Sequence, residues 1–198
     1  MNIAIIGAGN IGGTLGRKWA AAGYGVIFGV RDAADPKYAE LSSVGAVLSV
    51  DTAIERGDVV VLAQPGSAVP EFAVLYGAAL GPKVVIDTTN NVRGAEMNNL
   101  PLLIEHAPEA RFARAFNTLG WENMQNPQFG GSQADLFFCA QGEIRPLLEE
   151  LIAAVGLNPV YIGDLSSAAV LDGLTRLWFA LAFGQAHGRR VAFKLLKE

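Results

Sequence analysis

Short apolar runs alternate with a glycine-rich segment and a helical pattern over the first thirty residues of the chain. Residues 3–6 carry no charge, which is typical of a strand buried on both faces of a parallel sheet. A helical pattern follows over 14–22 and ends at Gly23, a residue type that commonly terminates helices. A second apolar run occupies 26–28. The pattern predicts a strand, a helix and a second strand in that order.

The same alternation continues along the rest of the chain. Further strands are predicted at 46–49, 59–63, 84–86, 111–116, 135–139 and 160–162. Further helices are predicted at 35–41, 51–57, 67–77, 102–106, 144–155 and 168–186. This alternation predicts an α/β fold with a doubly wound, mostly parallel Rossmann sheet and a small C-terminal helical segment. We therefore predict a Rossmann domain over 1–163, and over 164–198 a segment that packs on the sheet domain or on a dimer partner.

Three glycines follow the first predicted strand directly, with the spacing G-x-G-x-x-G. Gly7 allows a tight turn, Gly9 leaves room for a pyrophosphate close to the backbone, and Gly12 lets the helix approach the strand. The N–H groups at the start of the helix can then bind phosphate oxygens. Between two buried strands this pattern predicts a dinucleotide site, and the alternative is an ordinary glycine-rich turn.

The residues at the end of the second strand bear on which dinucleotide binds. An acidic residue usually lies there in NAD-binding proteins, whereas an arginine suits the 2′-phosphate of NADP. Arg31 comes first in this chain, and Lys37 lies a few residues further on. The sequence therefore favours NADP(H). Asp32 leaves NAD as an alternative, and an exposed Arg31–Asp32 pair that binds no ligand is another.

Amide and hydroxyl side chains follow three other predicted strands. They are Gln64, then Thr88, Thr89, Asn90 and Asn91, and then Asn117 and Thr118. Because the carboxyl ends of parallel strands line one crevice, we expect these residues to border a common ligand pocket. Such a pocket orients a small-molecule substrate without strong charge. The alternative is that asparagine and threonine are simply good turn formers.

The composition limits the partners that we expect. Of the 198 residues, 51% are hydrophobic and 17% are charged, and the net charge is −4. These values predict a well-formed core and argue against a nucleic-acid partner. No uncharged run is long enough to cross a bilayer, and the chain begins directly with a strand, so we expect no membrane partner and a cytoplasmic location. The apolar helix predicted at 168–186 favours a homodimer.

Cysteine and histidine are too sparse for disulfide or metal chemistry. Cys139 is the only cysteine, and its apolar neighbours predict an inert core residue. His106 and His187 are far apart in the sequence, so no metal site of recognisable spacing is predicted. Neither histidine is predicted to be catalytic, and no catalytic residue is assigned.

The glycine turn and two later segments resemble one family of enzymes. Residues 3–32, with IGAGNIG at 6–12 and Gly-Val-Arg at 29–31, look like the coenzyme F420-dependent NADP oxidoreductases. Phe-Asn-Thr at 116–118 resembles the same group and its reductase-domain relatives, which include the cytosolic domain of the membrane metalloreductases. The segment 192–196 resembles the end of these compact enzymes. The resemblance covers nearly the full length of the chain.

The resemblance implies hydride transfer between NADPH and a deazaflavin (coenzyme F420) or a flavin such as FMN or FAD. It places Arg31 at the 2′-phosphate, the glycine turn at the pyrophosphate and the turn 63–65 along the nicotinamide ribose. The residues implied on the cofactor side are Gly7, Gly9, Asn10, Ile11, Gly12, Arg31, Ala63, Gln64, Pro65, Thr88 and Asn90. Those implied on the substrate side, at the paired rings or the acceptor, are Thr89, Asn117, Thr118 and Val191.

Two other functions stay open. One is reduction of a small imine or carbonyl substrate, for which related enzymes use a large helical second domain. The other is a non-catalytic NAD(P)-binding sensor of redox state, which would explain the glycine turn but not the polar strand ends. Hydride transfer between stacked rings needs alignment and exclusion of water rather than a proton relay, which agrees with the lack of an obvious acid–base pair.

Overall fold

The computed structural model describes residues 1–198, which form two compact units, Met1–Phe112 and Ala113–Glu198. Its main sheet has eight strands and is mostly parallel, with helices flanking it. This is a Rossmann-like α/β fold with a C-terminal helix, so the predicted fold class is confirmed. The predicted domains divide at 163/164, whereas the compact units divide at 112/113. The difference arises because the last strands of the chain pack with the C-terminal helix in the second unit.

The first unit carries five parallel strands in the order β3-β2-β1-β4-β5. Its elements are β1 Asn2–Ile6, α1 Asn10–Ala21, β2 Gly25–Val30, β3 Ala46–Ser49, α2 Val50–Arg56, β4 Val59–Leu62, α3 Val69–Leu80, β5 Val84–Asp87 and α4 Leu100–His106. The central strand, β1, is flanked by β2 and β4, so that Ile5 lies beside Phe28 and Val61. All three side chains are buried, which explains the uncharged apolar runs.

The strand order reverses direction at β1. The chain builds the sheet outward through β2 and β3 on one side, and then through β4 and β5 on the other. Ligands of open α/β sheets bind at such a switch point, beyond the carboxyl ends of the strands. The glycine turn directly follows β1 and therefore lies at this point.

The second unit begins within β6, whose residues are Arg111–Arg114. Its further elements are α5 Trp121–Gln125, β7 Gln128–Phe129, β8 Ser132–Gln133, β9 Asp135–Ala140, α6 Arg145–Val155, β10 Asn158–Tyr161 and α7 Ala168–Phe179. Strand β9 pairs in parallel with β10 and antiparallel with β6, and β7 and β8 form a separate short hairpin. Helix α6 ends at Gly156, which adopts the left-handed conformation that the sequence pattern predicts for a terminating glycine.

Two predicted helices differ in type from those in the structure, and two short features of the second unit were not predicted. The helix predicted at 168–186 is α-helical only as far as Phe179 and continues as a π-helical turn over Ala180–Gly184. The helix predicted at 35–41 is a 3-10 helix at Pro36–Ser43. Helix α5 and the β7–β8 hairpin are absent from the predictions because they are too short to show a hydrophobic period.

One helical stretch, Leu165–Gly184, is long and apolar enough to cross a membrane by length and composition. The sequence predicts an apolar helix over 168–186, but no uncharged run long enough to cross a bilayer. Core helices of soluble proteins meet the same criteria, and Leu171, Asp172 and Trp178 of this stretch are buried in the structure. The predicted absence of a membrane partner stays a prediction.

Candidate functional site

A cleft of about 680 Å³ opens at the carboxyl ends of β1, β2 and β4 in the first unit. It is bordered by the glycine turn, by the end of β2, by the turn after β4 and by the start of α3. Its lining residues are Ile6, Gly7, Ala8, Gly9, Gly29, Val30, Arg31, Asp32, Lys37, Tyr38, Val50, Ala63, Gln64, Pro65, Ser67, Ala68 and Glu71. This is the position at which the strand order predicts a ligand.

Two glycines of the turn are needed for close backbone packing. Gly7 has a φ of 104°, and a Cβ on it would lie 2.7 Å from the carbonyl oxygen of Ala63. A Cβ on Gly12 would lie 2.0 Å from the carbonyl oxygen of Gly7. Only glycine fits at either position. As the sequence pattern predicts, Gly7 allows the tight turn and Gly12 allows the close approach of α1.

Gly9 differs from its neighbours because a Cβ on it would meet nothing within 4 Å. It caps α1 without a side-chain hydrogen bond, and the first turn of α1 contains no acidic residue. The N–H groups of the first helical turn, which include those of Asn10 and Ile11, therefore have no side-chain acceptor at the cap. Uncapped N–H groups, the positive end of the helix dipole and open space together fit a pyrophosphate.

Charged side chains border the cleft at the end of β2. Arg31 is 86% exposed, and its Nη2 lies 4.0 Å from Oε2 of Glu71. Asp32 accepts a hydrogen bond from the N–H of Ala34 at 3.0 Å, so this carboxylate stabilises the local turn. Lys37 pairs with Asp35, and this contact lowers the pKa of the Asp35 carboxyl and raises that of the Lys37 ammonium.

Gln64 presents an amide to the cleft directly after β4. Its Nε2 is buried and has no hydrogen-bond partner in the protein, although an amide nitrogen carries two donors. A buried donor without a partner is costly, and a ligand oxygen would satisfy it. Ala63, Gln64 and Pro65 all line the cleft. Their contact with the nicotinamide ribose stays a prediction.

The polar residues after β5 are bonded within the first unit. Thr88 donates its hydroxyl to the carbonyl of Leu62 at 2.7 Å, and Thr89 donates to Asp87 at 2.7 Å. Neither threonine lines the cleft, and nor does Asn90. Both threonine hydroxyls stabilise the end of β5, as the turn-former alternative describes, and a role of these three residues at the rings stays a prediction.

Asn117 and Thr118 lie in the second unit, after a strained residue. Phe116 has a φ of 61°, which is uncommon for a residue other than glycine, and its side chain is buried. Asn117 donates its amide to Oγ1 of Thr175 on α7 at 3.0 Å. The hydroxyl of Thr118 is buried without a hydrogen-bond partner in the protein, so it is the group of this segment that a ligand would satisfy.

Val191 is held by a residue that the sequence analysis missed. Asn123 on α5 is buried and donates to the carbonyls of Arg189 and Val191 at 3.0 and 2.9 Å. The indole N–H of Trp178 donates to the same Val191 carbonyl at 2.8 Å. An asparagine inside so short a helix gives no periodic signal, and its carbonyl partners are more than sixty residues away in the sequence. Asn123 thus fixes the C-terminal segment.

Cys139 is buried and free of disulfide bonds. Burial raises the pKa of its thiol to about 11, despite the nearby Arg114. The thiol stays protonated at neutral pH and is not a nucleophile, which agrees with the predicted inert core residue.

The sequence of the first unit matches a protein family. Residues 2–91 match the model of the family described as NADP oxidoreductase, coenzyme F420-dependent. The predicted resemblance is therefore confirmed over this segment. The family is described as NADP-dependent oxidoreductases, and the match does not identify an acceptor.

Three individual proteins are also similar to the chain. Metalloreductase STEAP3 of Rattus norvegicus is 23% identical over 180 residues, which are 87% of this chain and 36% of the relative. The chain thus spans about a third of the length of this curated relative.

The other two proteins have solved structures. One, from Arthrobacter sp. FB24, is assigned as an F420-dependent NADP reductase; it is 20% identical with a TM-score of 0.83, and the match covers 98% of this chain and 99% of that one. The other, protein SMa0349 of Sinorhizobium meliloti, is 24% identical with a TM-score of 0.72 and coverages of 100% and 96%. At these identities both structures support the fold.

Proposed function

We propose that the protein transfers a hydride between NADP(H) and a deazaflavin or flavin-type acceptor, because residues 2–91 match the model of the family described as NADP oxidoreductase, coenzyme F420-dependent. The nucleotide part of the proposal rests on one observation above all. Gly9 is the member of the glycine turn with open space beside it, directly before the uncapped start of α1. A pyrophosphate fits this combination of space and free N–H groups.

In this proposal each border of the cleft binds a different part of the dinucleotide. The N–H groups after Gly9 bind the pyrophosphate, and Arg31 binds the 2′-phosphate through its planar guanidinium. The unpaired amide of Gln64 donates to the ribose of the nicotinamide half. When bound, the nicotinamide supplies the hydride, and the chain contributes alignment and exclusion of water.

The deazaflavin is proposed as acceptor because the family description and the Arthrobacter protein both carry this cofactor in their names. A flavin is the second member of the proposed class. The metalloreductase relative adds a ferric ion to the acceptors worth assaying. In the second unit we propose Thr118 as a substrate-side residue, because its buried hydroxyl has no hydrogen-bond partner in the protein.

The proposal is tested by following NADPH oxidation with oxidised coenzyme F420, FMN, FAD and ferric ion as separate acceptors. We expect turnover with F420 or a flavin. Tight NADPH binding without turnover on any acceptor would favour the redox sensor, and turnover only with a small imine or carbonyl would favour the other alternative. Lack of NADPH binding would overturn the proposal altogether.

Gly9→Val provides the matching structural test. A valine side chain would occupy the space assigned to the pyrophosphate, so we expect NADPH binding to be lost while the fold is kept. Gly142→Val is the control, because a Cβ on Gly142 also meets nothing within 4 Å and this residue does not line the cleft. Unchanged NADPH affinity in Gly9→Val would contradict the site.

We also propose that the protein is a homodimer. Leu177 and Phe183, in and just beyond α7, are about half exposed, and Val170 is more exposed still. Apolar side chains on one helical stretch are typical of protein contacts. Sedimentation velocity of the wild type and of Phe183→Ser is the test, and a wild type that is monomeric at micromolar concentration would refute the dimer.

A further inference from the structure

Glu71 introduces a negative charge into the part of the cleft where the proposed function places a phosphate. It lies in the first turn of α3 and lines the cleft together with Arg31. Its Oε2 is 4.0 Å from Nη2 of Arg31, and both side chains reach into solvent. The same guanidinium that would bind a 2′-phosphate therefore already has a carboxylate beside it.

Among the charged residues at this border of the cleft, the contact between Arg31 and Glu71 is the one that affects phosphate binding. Lys37 also borders the cleft, but its ammonium is paired with Asp35. Asp32 accepts the N–H of Ala34 and adds a second carboxylate to the same border. Arg31 is consequently the cation for which a carboxylate of α3 and an incoming phosphate would compete.

We propose that Glu71 is a specificity-determining residue that lowers the preference for NADP(H) over NAD(H). Before the nucleotide binds, its carboxylate attracts the Arg31 guanidinium. A 2′-phosphate must displace this carboxylate and then remains close to its negative charge, whereas the 2′-hydroxyl of NAD(H) meets neither cost. This inference rests on the proposed function, because it requires that the adenosine half of the dinucleotide lies at Arg31.

Glu71→Gln tests the inference by removing the charge while keeping the shape. We expect NADPH to bind about two- to fivefold more tightly, which is the scale of an exposed ion pair, and NADH to bind as it does to the wild type. The gain should shrink at high salt, because exposed charges are screened. Glu55→Gln is the control: Glu55 is an exposed glutamate of the first unit that does not line the cleft.

A double-mutant cycle then separates competition for Arg31 from a general charge effect. In an Arg31→Ala background, Glu71→Gln should no longer raise NADPH affinity by the same factor, since there is no guanidinium to release. An equal gain in both backgrounds would overturn the competition, as would unchanged NADPH affinity or an equal gain for NADH in Glu71→Gln. These outcomes leave the proposed function intact, whereas a wild type that binds no NADPH would refute the proposed function itself.

Discussion

Arg114 donates two hydrogen bonds to the carboxylate of Asp172, through Nε at 3.0 Å and Nη2 at 2.7 Å, with both side chains buried. The pair joins the end of β6 to α7 within the second unit. It gives α7, an amphipathic helix rich in apolar residues, a buried ionic contact near its middle. A charge in this helix therefore has a packing role that hydropathy alone does not indicate.

Asp172→Ala should strongly destabilise the protein. The substitution removes the carboxylate that accepts both of these hydrogen bonds from the buried Arg114 guanidinium, and we expect a loss of about 3–5 kcal/mol in the free energy of unfolding. Urea denaturation measures it. Glu149→Ala is the matched control, because Glu149 pairs with Arg145 at the same 2.7 Å but on the surface, where we expect a loss of at most about 0.5 kcal/mol. Similar losses in both variants would contradict the structural role of burial.

The sequence was sufficient for the architecture wherever periodicity was strong. Strand β3 has the predicted bounds, 46–49, and the glycine turn lies between β1 and α1 as predicted. The sequence was insufficient where the structure depends on contacts between residues that are far apart in the chain. Asp172 gives only a charge in an apolar pattern, and its partner lies 58 residues earlier in the sequence. The division of the chain at 112/113 likewise depends on packing rather than on local propensity.

The candidate site was predictable to a similar degree. The roles of Gly7 and Gly12 follow from their spacing, because both are backbone contacts that the motif itself encodes. The hydroxyls of Thr88 and Thr89 could not be assigned, since a threonine after a strand can either face a ligand or bond the strand end, and these two bond the strand end. Glu71 gave no signal because it lies within a helix far along the chain from Arg31.

Arg31→Ala should weaken NADPH binding by about 1–3 kcal/mol and leave NADH binding nearly unchanged, because only the phosphorylated nucleotide loses a charged hydrogen bond. Fluorescence titration with both nucleotides measures the difference. Arg56→Ala serves as control, since Arg56 is an exposed arginine of the first unit that does not line the cleft. Equal losses for NADPH and NADH would remove the phosphate-binding role.

Asn123→Ala should loosen the C-terminal segment. It removes two hydrogen bonds to the carbonyls of Arg189 and Val191 from a buried position, and we expect about 1–3 kcal/mol of destabilisation. Hydrogen exchange of the backbone beyond residue 188 should become faster, and Trp178→Phe should have the same effect on a smaller scale. Asn126→Ala is the control, because the Asn126 side chain accepts only a local hydrogen bond from Gln128. Unchanged exchange in Asn123→Ala would show that other contacts hold the segment.

Asp135 should make the attachment of the C-terminal segment sensitive to acid. Burial alone would raise the pKa of this carboxyl, but hydrogen bonds from Lys194, from the N–H of Leu195 and from Asn158 outweigh burial and lower the pKa below its ordinary value of 3.8. A group whose pKa is lower in the folded state contributes stability above its unfolded pKa and loses it as the pH falls through its folded pKa.

We therefore compare wild type with Asp135→Asn. The wild type should be the more stable at neutral pH, and its advantage should decline only below about pH 4 as the carboxylate becomes protonated. Urea denaturation across this range, with hydrogen exchange of the backbone of Leu195 as a local measure, follows the change. A difference between the two proteins that stays constant down to about pH 3 would show that the charge of Asp135 does not hold the segment.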